Sequence, residues 1–164
     1  MGMFDLIKLL AEKEVDFVLV GGLAVALHGY QRVTMDVDVV LAMDAANLSR
    51  FIAGAKAAGL RPTIPVAIES LADPDLIRQW HAEKGMLAFS LRGAEARATV
   101  LDVLVELKIP YADMRRDAVM IEMGQHRIPV ASIAHLIAMK TGTGRGKDAI
   151  DIEELQKLME AGAP

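Results

Sequence analysis

The chain has 164 residues, 18 Lys plus Arg against 22 Asp plus Glu, and a formal net charge of −4. That length predicts one domain, able to bury about two-thirds of its unfolded surface without a stabilising metal, and a hydrophobic content of 53% excludes a disordered polyelectrolyte. The absence of cysteine excludes a disulfide framework, thiolate metal centres and thiol nucleophiles, and a pI near 5.5 argues against coating duplex DNA, which needs an excess of cations.

Residues 3–14 carry Phe4, Ile7, Leu9 and Leu10 at helical spacing. Phe17–Val20 reads as a buried strand that stops at Gly21-Gly22, and residues 23–28 suit a helix opened by those glycines. Val37–Leu41 is a second strand, followed by a helix through Leu48, Phe51, Ile52 and Ala55 that ends at Gly59. Residues 60–72 give no clear pattern. Asp73-Pro74 starts a helix with an N-cap carboxylate and a first-turn proline; Leu76, Ile77 and Trp80 form its predicted buried stripe, and Gly85 closes it. Strands are expected at Met86–Leu91 and Thr99–Val105, a short helix after Pro110, and a hairpin around Gly124-Gln125. Ser132 caps a helix through Met139, and a last helix runs from about Lys147 to Met159. The expected architecture is α/β (α+β): a single domain over 1–164, with a mixed sheet flanked by helices and a helical C-terminal segment from about residue 131.

The chemistry concentrates in three places. Asp36 and Asp38 are two apart, so a strand would project both to one side. Close carboxylates repel unless a cation sits between them, and magnesium suits such oxygen ligands because it fills its remaining positions with water and phosphate. Gly21-Gly22 lets backbone approach an anion at a helix start. The plain alternatives are a tight turn for the glycines and a solvated strand edge for the carboxylates. Asp102 lies within Val100–Val105, where a lone carboxylate costs several kcal/mol unless paired or metal-bound; an exposed edge strand is its alternative reading. Strand pairing that sets Asp102 beside Asp36 and Asp38 would give a triad for two metals. Lys140 emerges at the end of an apolar helix stripe, before a glycine-rich segment through Lys147-Asp148 that lacks the Walker A order. Lys140 reads either as a snorkelling side chain at a helix end or as a phosphate ligand, and Asp148 and Asp151 read as helix-start carboxylates. None of the four histidines has metal-ligand spacing, and His135 falls on the polar side of its helix. Ser90 and Ser132 lack the His/Asp context of a nucleophile.

Taken in order, Val20-Gly21-Gly22, Asp36-Val37-Asp38 and Asp102 resemble the signature of the nucleotidyltransferase superfamily, which includes DNA polymerase beta, kanamycin nucleotidyltransferase and minimal bacterial nucleotidyltransferases. The set Gly21, Gly22, His28, Gly29, Arg32, Thr34, Asp36 and Asp38, then Lys140, Arg145, Lys147, Asp148 and Asp151, is similar to the branch of AbiEii-type toxins of type IV toxin–antitoxin systems. The resemblance implies metal-dependent transfer of a nucleoside monophosphate from an NTP to a protein or RNA acceptor, by a two-metal mechanism with release of pyrophosphate. Asp36, Asp38 and Asp102 would hold magnesium, or manganese in its place, and act catalytically. Gly21, Gly22, Arg32, Thr34, Lys140 and Arg145 would bind the nucleotide. The chain lacks the further helical domain of the larger toxins, so a large acceptor would need the core or a partner protein to hold it. The alternative is a nucleotide-binding antitoxin or regulatory module that works through a protein partner without turnover. An antibiotic-modifying enzyme is a third option, which the small size disfavours. No run of about 18 apolar residues is present and Met1–Asp5 lacks the start of a secretory signal, so a cytoplasmic location and no membrane partner are expected.

Overall fold

The computed structural model describes residues 1–164. Seven helices and seven strands follow in the order α1 (Met3–Glu12), β1 (Phe17–Val20), α2 (Gly21–Leu27), β2 (Val37–Leu41), α3 (Ala45–Ala57), β3 (Arg61–Pro62), α4 (Pro74–Lys84), β4 (Ala88–Arg92), β5 (Leu101–Leu104), α5 (Tyr111–Arg116), β6 (Val119–Met123), β7 (His126–Val130), α6 (Ile133–Lys140) and α7 (Gly146–Glu160). The strands form one mixed sheet, ordered β3-β4-β5-β2-β1-β7-β6. β1 runs antiparallel to β2 and parallel to β7, whereas β2 and β5 are parallel and β4 is antiparallel to β5.

Local chemistry accounts for most boundaries. The Asp73 carboxylate accepts from the backbone N–H groups of Asp75 and Leu76, so α4 begins where its cap and Pro74 dictate, and Gly85 ends it in the left-handed region at φ +65°. Ser132 accepts from the His135 N–H at the start of α6, and Asp44 accepts from the Asn47 N–H at the start of α3. Fully buried Asn47 fastens the β1–β2 pair to α3. Its Oδ1 accepts from Asp16 N at 2.7 Å, and its Nδ2 donates to Asp16 O at 2.9 Å and to Ala42 O at 2.8 Å. Every polar atom it buries is thereby satisfied.

β1 is buried along its whole length because helices or neighbouring strands cover it on every side. Parallel pairing with β7 and antiparallel pairing with β2 explain why its sequence is a continuous apolar run rather than an alternation. One apolar cluster joins Val18, Leu19, Phe51, Phe89 and Leu101 of the sheet and its covering helices to Ile133, Leu136 and Leu155 of α6 and α7. α6 packs on both α7 and α2, which carries the C-terminal helices over the end of β1. No helix is long and apolar enough to cross a membrane.

Several expectations shift. α2 starts at Gly21 rather than Leu23, so both glycines lie in its first turn. The strand expected from Met86 starts at Ala88 and leaves Leu87 62% exposed, and β5 covers only Leu101–Leu104 of the expected span. In α4 only Ile77 of the predicted stripe is buried; Leu76 and Trp80 are half-buried. Residues 60–72, without pattern in the sequence, hold the two-residue β3 and a 3-10 turn over Ile68–Ala72.

Candidate active site

The three strands at the centre of the site share one alternation. In β2 Val37 and Val39 point into the core, in β5 Leu101 and Val103, and in β4 Phe89 and Leu91. The other face is left to half-buried Asp38, Asp102 and Ser90. The register aligns these three across the sheet, Asp38 opposite Asp102 and Asp102 opposite Ser90. Asp102 thus lies on an internal strand, not an edge, and the Ser90 hydroxyl donates to its Oδ1. Ser90, which lacked any catalytic context in the sequence, is the residue that reading missed; only the β4–β5 register reveals it. Asp36 sits one residue outside β2, on the loop that leads into it.

The glycines meet this row at the end of β1. Gly21 adopts φ +71°, and a Cβ there would come within 2.7 Å of the Asp38 Cγ. Only a glycine tolerates both the conformation and the carboxylate pressed against it. A Cβ on Gly22 would fall 2.9 Å from the Thr34 Oγ1 and 3.4 Å from the Arg32 Cζ, so the loop before β2 lies directly on that backbone.

Cations close the other side through a chain of ion pairs. Arg32 donates to Asp151, and Lys140 Nζ lies 3.0 Å from the same carboxylate and 3.4 Å from Asp148. Asp148 also accepts from Thr143 Oγ1 at 2.6 Å and from Arg145 Nε at 2.7 Å. Asp148 and Asp151 are 1% and 2% exposed, and Lys140 9%. The sequence reading of these acids as helix-start carboxylates holds for Asp148 and needs correction for Asp151. Asp148 does stand in the first turn of α7, but Asp151 is one turn further, and both serve as buried partners of the cations. Lys140 does not snorkel into solvent; it ends α6 inside this network. The network holds three cations and two anions, one net positive charge.

A cavity of about 490 Å³ brings together Gly21, Gly22, Arg32, Thr34, Asp36, Asp38, Asp102, Lys140 and Arg145, the whole candidate set read from the sequence. Lys147 and Asp148 also line it, as does an apolar wall that includes Leu87, Ala88 and Leu104, which no sequence motif marked.

The carboxylates carry the electrostatic cost of this arrangement. Burial, then the charges of Asp102 and Asp36, push Asp38 up to about 6 against the partial relief of Lys140 and Arg145. Burial and Asp102 also raise Asp36, with Lys147 opposing. Burial alone would raise Asp148, but hydrogen bonds from Thr143 and Arg145 and the Lys140 charge outweigh it and hold that carboxyl below its ordinary value. The donor chemistry at the row therefore suits a divalent ion: hard carboxylate oxygens whose mutual repulsion a cation would relieve. As the side chains stand, no three of His, Asp or Glu are arranged to hold an ion, with Asp36 outside the strand and Asp102 engaged by Ser90.

The histidines stand away from this chemistry. His28 Nε2 lies 2.7 Å from the Ala131 carbonyl, and His81 Nδ1 2.8 Å from that of Met86. His135 is not on a polar face as expected: its side chain is mostly buried, its Nδ1 has no partner, and its Nε2 is 3.6 Å from Asp117.

The geometry has counterparts among solved structures. Over 95% of each chain it superposes on the lincosamide antibiotic adenylyltransferase LnuA, lincomycin-bound, with a TM-score of 0.62 and 17% identity. The fold is the nucleotidyltransferase fold. An antigenic nucleotidyltransferase-like protein from Paracoccidioides brasiliensis matches with TM-score 0.56 and 17% identity, over 96% of this chain and 73% of that one. ANT(2")-Ia in complex with adenylyl-2"-tobramycin matches with TM-score 0.53 and 13% identity, over 96% and 95%. No protein-family model matches the chain, and no curated protein does.

Proposed function

We propose that the chain is a metal-dependent nucleotidyltransferase that moves a nucleoside monophosphate from an NTP to an acceptor hydroxyl. One observation carries the reading: Asp38 and Asp102 oppose each other in register on the open face of the sheet, in a cavity that also holds the Gly21-Gly22 turn and a net-positive cation network. Carboxylates and cations facing one cavity from two sides match what a triphosphate and its metal require together.

Asp36, Asp38 and Asp102 would hold magnesium or manganese, which supplies charge to neutralise the triphosphate and to lower the pKa of the acceptor hydroxyl. Gly21 and Gly22 admit phosphate oxygens close to the backbone, with the Thr34 hydroxyl beside them. The acceptor oxygen bonds to the α-phosphorus as the bond from that phosphorus to the pyrophosphate oxygen breaks. The proton leaves toward Asp102, the carboxylate farthest along the sheet from the glycines. Arg32, Lys140 and Arg145 receive the charge that develops on the departing pyrophosphate.

The motif order from Arg32 to Asp38 and from Lys140 to Asp151 supports kinship with the AbiEii-type branch, where the acceptor would be RNA or protein. The small-molecule modifier regains ground, because the size argument against it fails: the lincosamide adenylyltransferase spans about the same length of chain.

The test is calorimetric titration with ATP, GTP, CTP and UTP, with and without magnesium, followed by transfer of labelled nucleotide. Asp36→Asn and Asp102→Asn are each expected to abolish transfer while the folded state persists by circular dichroism. Full transfer by either variant overturns the assignment, and magnesium-dependent binding without any turnover moves the chain to the partner-regulating alternative.

A further inference from the structure

The strand order gives the cavity a direction. The glycine turn follows β1, Asp38 stands on β2, Asp102 on β5 and Ser90 on β4, and these strands are neighbours in that sequence. Triphosphate bound at Gly21-Gly22 occupies the β1–β2 side, so an acceptor that presents its oxygen to Asp102 must lie over β5 and β4. The surface there is aliphatic. Ala88 opposes Leu104 one pleat beyond the Ser90–Asp102 pair, on the same face, and Leu87 adjoins them with 62% of its surface exposed.

Resting on the nucleotidyltransferase reading, we infer that the acceptor is an amphipathic small molecule: a hydroxyl on an aliphatic body, uncharged or cationic, seated on Leu87, Ala88 and Leu104. Two features of the cavity favour this over a nucleic acid. No aromatic side chain lines the cavity, so an unstacked base would find no platform. Of the four lining cations, Arg32, Lys140 and Arg145 are paired with Asp148 or Asp151, and Lys147 alone has no ion pair.

The experiment uses the full chain loaded with magnesium and a non-hydrolysable ATP analogue. It is titrated with methyl, butyl, hexyl and octyl β-glucosides below their micelle-forming concentrations, and separately with a single-stranded RNA oligonucleotide. The hydroxyls are constant across the series, so affinity is expected to rise about threefold to fourfold per methylene that reaches the wall. In Leu87→Asp the rise should flatten, and in Leu87→Ala it should weaken, each series being measured at saturating analogue. The exposure of Leu87 makes both substitutions compatible with folding. A flat series in the wild type, an unchanged slope in Leu87→Asp, or RNA binding tighter than the octyl glucoside overturns the inference. Failure of the wild type to bind the ATP analogue at all instead overturns the nucleotidyltransferase reading beneath it.

Discussion

Asp38→Asn is expected to stabilise the metal-free protein, and to do so only above acidic pH. Asp38 titrates near 6 in the fold against an ordinary 3.8. A carboxyl with a raised pKa holds its proton more tightly folded than unfolded, so its ionisation works against folding. The penalty is absent below 3.8, grows as pH rises between the two values, and is complete above about 6. The gap corresponds to about 3 kcal/mol. Asparagine keeps the shape and removes the charge that Asp102 and Asp36 oppose. For a chain of this size about 3 kcal/mol raises Tm by about 6–12 °C. Melting curves followed by circular dichroism in EDTA, from pH 4 to pH 8, should show wild type and variant together at pH 4 and separating progressively to pH 8. Magnesium with ATP should reverse the order by stabilising the wild type alone. Equal separation at every pH would refute the reasoning, because the difference would then owe nothing to ionisation.

Asp151→Ala leaves Lys140 and Arg32 facing each other without their shared carboxylate, and equilibrium urea unfolding should show a loss of about 3–5 kcal/mol. Gly21→Ala forces a Cβ into Asp38 at positive φ; a stability loss of about 1–3 kcal/mol is expected from the backbone alone, with nucleotide binding in calorimetry lost. Asn47→Ala strips the side-chain partners of Asp16 N and Ala42 O, while Asp16 O keeps its bond from the Ala42 N–H, and thermal unfolding should report a loss of about 2–3 kcal/mol with nucleotide affinity unchanged once folded.

What the sequence made legible was local. β1 and β2 fall on the predicted residues because each is a compact run rich in β-branched and aliphatic residues, and α4 and α6 begin at their caps because the capping side chain and the helix start are neighbours in the chain. The Gly21-Gly22 and Asp36–Asp38 pair could be read for the same reason. The residues that line or support the cavity without a local signal depend on contacts between distant segments. Ser90 meets Asp102 through a strand register that no local pattern encodes. Asp151 has the same local context as an ordinary helix acid, and its burial follows from α7 docking where Arg32 and Lys140 converge. Leu87 reads as one more apolar strand residue, but the strand begins at Ala88, two positions later than expected, and leaves it in solvent.

The two charged features of the cavity differ in what they say about function. The network of Arg32, Lys140 and Arg145 with Asp148 and Asp151 is ion-paired with one net positive charge left over, so a structural purpose accounts for much of it, even though apolar residues of similar volume often pack as stably. The carboxylate row has no such account. Asp38 and Asp102 stand opposed with like charge, Asp38 is raised to about 6 by burial and by its neighbours, and the backbone at Gly21 is shaped around its side chain. An asparagine or serine at either position would serve the sheet without that cost. A fold that carries an unfavourable charge pair in the floor of its cavity, with a glycine turn beside it and cations across from it, is arranged for a ligand that brings positive charge to the row and negative charge to the cations. A metal-bound triphosphate brings both.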